Sequence, residues 1–101
     1  MALDANCIFC KIIDGEIPAE IVYRDENVVA FNDLNPQAPT HVLLIPTLHV
    51  ENAAAMAETS AVVTAALMKA AKVIASERAL SGYRTVFNTG AAVGQSVFHA
   101  H

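Results

Sequence analysis

Two histidines, His99 and His101, stand one residue apart in the run Gly94-Gln95-Ser96-Val97-Phe98-His99-Ala100-His101. In an extended strand, positions i and i+2 share a face about 7 Å apart. The spacing therefore presents two imidazoles to one space. Just before them, Gly90 to Gly94 supplies a pliable loop whose backbone amides border the same space. Paired imidazoles beside a glycine loop suit chemistry at a phosphate. The same spacing also fits a surface strand that carries two solvated histidines.

The other chemically active residues are few. Beyond His99 and His101 the chain has only His41 and His49, and only two cysteines, Cys7 and Cys10. A Cys-x-x-Cys pair is half of a structural zinc site, which needs four thiolate or imidazole ligands in tetrahedral array. Cys7, Cys10, His49 and His99 would complete a Cys2His2 set tying the N-terminal segment to the last one. The competing reading is two buried free thiols. Thiol redox chemistry is a lesser option, because no βαβ pattern surrounds the pair. Asp33 follows an apolar run, where a carboxylate can accept both ribose hydroxyls or cap a turn. Asn88 and Ser96 flank the glycine loop as hydrogen-bond donors, and Gly94 would let backbone approach a phosphate closely.

These residues need elements to place them. Residues 7–14 read as a short helix begun near Asn6 and stopped by Gly15. Ile21-Val22-Tyr23 and Val28-Val29-Ala30-Phe31 form a hairpin pattern around Arg24-Asp25-Glu26-Asn27. His41 to Ile45 reads as a third strand, apolar almost throughout and so expected to be central, ended by Pro46. From Glu51 to Leu80 the period is helical, with a short turn over Ala53 to Met56 and a cap at Thr59 or Ser60. Val63, Leu67, Ala70 and Ile74 lie on one stripe, and Ser81-Gly82 is expected to end the helix. Tyr83 to Phe87 and Gln95 to His101 read as the fourth and fifth strands. The expected architecture is α+β, with a five-stranded antiparallel sheet, one long helix and one or two short ones, the last strand cut short.

Composition narrows the function. A chain of 101 residues suits one domain spanning 1–101 with a single modest core. Hydrophobic residues make up 54% and charged residues 16%, which suggests a partner subunit over part of the surface. The net charge of −4, with six Lys and Arg and no basic run, argues against a nucleic-acid partner. No apolar stretch approaches the ~18 residues that span a membrane, and the first residues lack a signal-peptide pattern. A cytoplasmic location is expected, where thiols stay reduced.

Taken together, these residues resemble the histidine-triad family, in particular its Hint-like, zinc-containing bacterial branch. The blocks that carry the resemblance are Cys7-Ile8-Phe9-Cys10-Lys11-Ile12-Ile13, Gly15-Glu16-Ile17-Pro18-Ala19, Phe31-Asn32-Asp33, Pro36-Gln37-Ala38-Pro39-Thr40-His41, Ile45-Pro46 and Gly94 to His101. The resemblance implies nucleotidyl transfer or hydrolysis of purine nucleoside phosphoramidates or related adenylylated compounds. It casts His101 as the nucleophile at the α-phosphorus and His99 as a ligand of a structural zinc with Cys7, Cys10 and His49. His41 becomes an additional active-site histidine. Asp33 matches the ribose-binding acid, with Phe31 and Leu34 lining the base pocket. Asn88, Gly94, Gln95 and Ser96 match the phosphate-side contacts, Ser96 also helping the leaving group. Homodimers built on the long helix and a strand are implied as well. The alternative within the same resemblance is a nucleotide-binding scaffold with little catalysis. The family's third triad histidine, expected two residues after His101, is not in the sequence, and a further segment carrying it is expected in the intact protein.

Overall fold

A computed structural model of the chain describes residues 4–101. The first helix, α1 (Ile8–Ile13), begins at Cys7, whose backbone is extended and whose Sγ accepts the Cys10 N–H at 3.4 Å. A thiol thus does the capping normally left to a hydroxyl or carboxylate. Helix α1 turns Phe9, Cys10, Ile12 and Ile13 inward. They pack against Val29, Phe31 and Ile45 of the sheet, and the Phe9 and Phe31 rings meet edge to face at 5.8 Å.

Three antiparallel strands follow in the spatial order β1 (Ile21–Arg24), β2 (Val28–Asn32), β3 (Val42–Pro46). The β1–β2 turn is organised by Asp25. Its carboxylate accepts the Asn27 and Val28 N–H groups at 2.7 and 2.9 Å and the Tyr23 hydroxyl at 2.6 Å. Burial alone would raise that carboxyl's pKa. The bonds from Tyr23, Asn27 and Val28 outweigh it and hold the pKa below the usual carboxylate range. The register sets Phe31 opposite Leu43 and Val29 opposite Ile45.

The sheet's middle strand is β2, not the third strand expected there. The reason lies in its two faces. Val29 and Phe31 pack beneath α1, while Val28 packs with Val50, Met56, Val63, Leu67 and Ala70 on the other side. Burial on both faces explains the unbroken apolar run, and each fully buried aliphatic side chain contributes about 1.5–3 kcal/mol. In β3, by contrast, Val42, Leu43 and Leu44 remain half-buried and line a cavity.

The second face is covered by α2 (Ala53–Thr59) and α3 (Ala61–Glu77), capped by Asn52 and Ser60 through bonds to the Ala55 and Val63 N–H groups. The stripe Val63, Leu67, Ala70, Ile74 is buried as its period requires. Helix α3 stops before Gly82. Ala79 takes a left-handed backbone (φ +53), the Leu80 N–H bonds the Ala75 carbonyl, and the Ala79 N–H bonds that of Ser76. This is a Schellman closure with alanine where glycine is usual.

The expected five-stranded sheet is corrected to three strands among the described residues. Residues 83–88 join no backbone ladder. In the last segment the polar groups are engaged elsewhere. The Val97 carbonyl takes a bond from Gln95 Nε2, the His99 carbonyl one from His101, and the Ala100 N–H bonds Val50. An alternating pattern sets which side chains share a face, but a ladder also needs a second backbone with free groups in register.

Candidate functional site

The Cys-x-x-Cys segment, the loop after β3 and the last segment converge on one point. Cys7 Sγ lies 3.4 Å from His99 Nδ1, Cys10 Sγ lies 3.2 Å from His49 Nδ1 and 3.6 Å from His99 Nδ1, and the two Nδ1 atoms are 3.1 Å apart. A tetrahedral zinc with N and S ligands at ordinary distances has N···N edges of about 3.3 Å and S···N edges of about 3.6 Å. All four ligand atoms lie within 4.8 Å of one another, so the cluster is compatible with a structural zinc.

The protonation states agree with that fit. His99 is fully buried, and its Nε2 lies 2.8 Å from the Pro46 carbonyl. A carbonyl only accepts, so Nε2 carries the proton and Nδ1 turns its lone pair to the sulfurs. Burial pushes the His99 pKa down, with the Pro46 bond opposing, which favours the neutral imidazole a metal requires. Burial also pushes the Cys10 thiol up, so its thiolate needs a nearby cation. The Cys10 N–H to Cys7 Sγ bond supports one sulfur, and Asp4 Oδ2 stands 3.9 Å from His49 Nε2. With four protein ligands, no position remains for a reactive water.

On the other side of the sheet's end, a cavity of about 800 Å³ opens between β3, α3 and residues 82–88. Asp33, His41, Asn88 and His101 all line it. His101 donates from Nδ1 to its neighbour's carbonyl, that of His99, at 2.8 Å, which leaves the Nε2 lone pair available. His41 accepts the Gln37 N–H at Nδ1 (2.9 Å) and turns Nε2–H toward Asp33 Oδ2 (3.3 Å). The remaining Asp33 oxygen accepts the Asn35 N–H. An imidazole with a free ring nitrogen, a carboxylate and an amide thus share one chamber of mixed polar and apolar walls.

The other sequence-selected residues lie outside that chamber. Phe31 is buried under α1, and Leu34 is almost fully exposed at 98%. Gly94, Gln95 and Ser96 are not among the cavity's walls, and Ser96 lines a smaller cleft with Asp4, Cys7 and His49. Buried Gln95 is a clasp. Its Oε1 accepts the Gly90 N–H at 2.8 Å, while its Nε2 donates to the Glu51 and Val97 carbonyls at 2.7 and 3.0 Å. Around it Gly90 and Gly94 hold φ of +106 and +99, values that glycine adopts readily.

Sequence reasoning missed Phe9, whose ring stands 5.0 Å from the His101 ring, and the walls contributed by Met68, Ala71 and Arg84. A phenylalanine between two cysteines reads as core, and nothing in its spacing points to His101.

The structure is an α+β meander that carries a Cys2His2 cluster and, two residues beyond one of its histidines, a second histidine facing a cavity. The chain belongs to the histidine-triad family. The family model described as "Scavenger mRNA decapping enzyme C-term binding" matches residues 6–101. The chain is 43% identical over 97 residues to "Protein HitA" of Neisseria gonorrhoeae, covering 95% of this chain and 91% of that protein. It is 46% identical over 101 residues to the "14 kDa zinc-binding protein" of Zea mays, covering 97% and 79%. Among solved structures, the HIT family hydrolase from Clostridium thermocellum superimposes with a TM-score of 0.92 at 45% identity, covering 97% of this chain and 87% of that one.

Proposed function

We propose that the protein cleaves purine nucleoside phosphoramidates or related adenylylated compounds through a nucleotidyl-histidine intermediate on His101. The observation that carries this reading is the 2.8 Å bond from His101 Nδ1 to the His99 carbonyl on the wall of the 800 Å³ cavity. That bond fixes the tautomer in which Nε2 is the nucleophile. Nε2 forms a bond to the α-phosphorus as the P–N bond breaks, the departing amine takes a proton from solvent in the open cavity, and the attacking water of the second step returns one to solvent. Water then attacks the same phosphorus, releasing the nucleoside monophosphate and restoring the imidazole. Asp33 is the ribose acceptor, held by the Asn35 N–H and the His41 ring. His41 lies on the same cavity wall system as a proton relay.

In this reading a structural zinc joins Cys7, Cys10, His49 and His99, the protein works in the cytoplasm, and two copies form a homodimer. Cys7, Cys10, His49 and His99 would hold the zinc as a structural ion with no open position for substrate, and with His99 so held its carbonyl stays in place to accept from His101 Nδ1.

The test is turnover of an adenosine phosphoramidate by the wild type and by His101→Ala, with AMP affinity measured alongside. Turnover should fall at least ~10³-fold in the variant, with AMP affinity within a few-fold. Turnover that survives in His101→Ala removes the covalent mechanism. No turnover by either protein, with AMP still bound, leaves a nucleotide-binding protein.

A further inference from the structure

The two histidines of the cluster are oriented alike. Each turns Nδ1 to a cysteine sulfur, which leaves Nε2 on the far side of the ring to carry the proton. A ligating imidazole keeps its tautomer and its plane when that second nitrogen has an acceptor. His99 has one, the Pro46 carbonyl at 2.8 Å. For His49 the group in front of Nε2 is the carboxylate of Asp4, with Oδ2 3.9 Å away. That separation is longer than a hydrogen bond, yet well inside the range where opposite charges attract. Asp4 is in turn fastened to the cluster's own backbone. Its carbonyl accepts the Cys7 N–H at 3.1 Å, and its Oδ1 accepts the Asn6 N–H at 2.8 Å. One carboxylate oxygen is thus spent on a turn that closes onto the first cysteine, and the other is left facing His49. Asp4, Cys7 and His49 line the same cleft.

We propose that Asp4 is a positioning residue of the metal cluster: its carboxylate holds the His49 ring through Nε2–H and raises the affinity of the site for zinc. An imidazole that gives its Nδ1 lone pair to a cation carries a more positive Nε2–H. The pull of the carboxylate is therefore felt most in the metal-bound state. The outer acceptors of the two histidines come from different parts of the chain, a strand carbonyl for His99 and the segment before α1 for His49. The proposal concerns how tightly the cluster holds its metal, and it is independent of the reading of His101 as nucleophile.

The experiment measures zinc affinity by competition with a chromophoric chelator for the wild type, Asp4→Asn and Asp4→Ala, each checked for fold by circular dichroism. Asparagine keeps an oxygen for the Asn6 N–H and removes only the charge, whereas alanine removes both. Affinity should fall about tenfold in Asp4→Asn and up to about 100-fold in Asp4→Ala. Asp4 is half-exposed, so the attraction is open to screening. The gap between the wild type and Asp4→Asn should accordingly narrow at ~1 M salt. In nitrogen-15 spectra of the zinc-loaded proteins, the His49 Nε2–H should exchange with water faster in Asp4→Asn than in the wild type. The His99 Nε2–H, bonded to Pro46, should exchange alike in both. Wild-type affinity in Asp4→Asn overturns the proposal, because Asp4 would then serve the turn alone. A loss of affinity that ignores salt, or faster exchange at both histidines, overturns it as well. A wild type that takes up no zinc overturns it together with the cluster itself.

Discussion

At the scale of single residues, His99 does two jobs with two parts of itself. Its imidazole completes the Cys7, Cys10, His49 cluster, and its carbonyl accepts from the cavity-facing His101. That two imidazoles two residues apart share one space was legible in the sequence from strand-like alternation, and ligand counting offered one of them to the cluster. Which nitrogen of each ring is free was not legible, since that depends on the Pro46 and His99 carbonyls brought in by the fold. The cluster's contribution can be measured. Cys10→Ser should cost roughly 3 kcal/mol or more, a fall of about 12 °C in Tm for a chain of this length. Chelator treatment of the wild type should reproduce most of that loss. Equal melting of both proteins, with no zinc by elemental analysis, excludes a structural metal.

At the scale of elements, the local rules were strong wherever a side chain caps its own helix. Asn52 and Ser60 start α2 and α3 where hydroxyl and amide capping expects them, and Gly15 follows α1. The end of α3 was misread because glycine is the usual sign of a left-handed stop, and here Ala79 occupies that conformation at φ +53. An alanine there carries a steric cost that glycine does not. Ala79→Gly should therefore stabilise the protein by about 0.5–1 kcal/mol, raising Tm by about 4 °C. An unchanged or lower Tm would show that the backbone at Ala79 is not left-handed. Gln95 gives the opposite lesson. Resemblance selects it as a phosphate contact, while the structure engages both ends of its amide with Gly90, Glu51 and Val97. Its neighbours in sequence do not reveal those partners, because Glu51 lies 44 positions away.

At the scale of the whole molecule, the described surface leaves an apolar set uncovered. Val62 and Val73 project from α3, and Met68, Tyr83 and Val86, which also line the cavity, are exposed beside them. This is where the proposed homodimer would close, by helix and extended segment against their copies. Val86→Glu should halve the mass seen by light scattering at micromolar concentration, because the charge would be buried without a partner. A wild type already monomeric at that concentration removes the homodimer. Among the described residues no helix is long and apolar enough to cross a membrane. By itself, the sequence determined the α+β class, the helical stripe and the hairpin, and it offered the four residues of the cluster beside a competing reading as buried free thiols. Those features follow from side-chain period, capping chemistry and ligand type, all local in the chain. Tertiary structure alone decided that β2 is central, that residues 83–88 carry no ladder and that Asp33, His41 and His101 share a cavity while Leu34 and Ser96 do not. Each of these depends on which distant backbone or side chain arrives at a given place, and periodicity carries no such address.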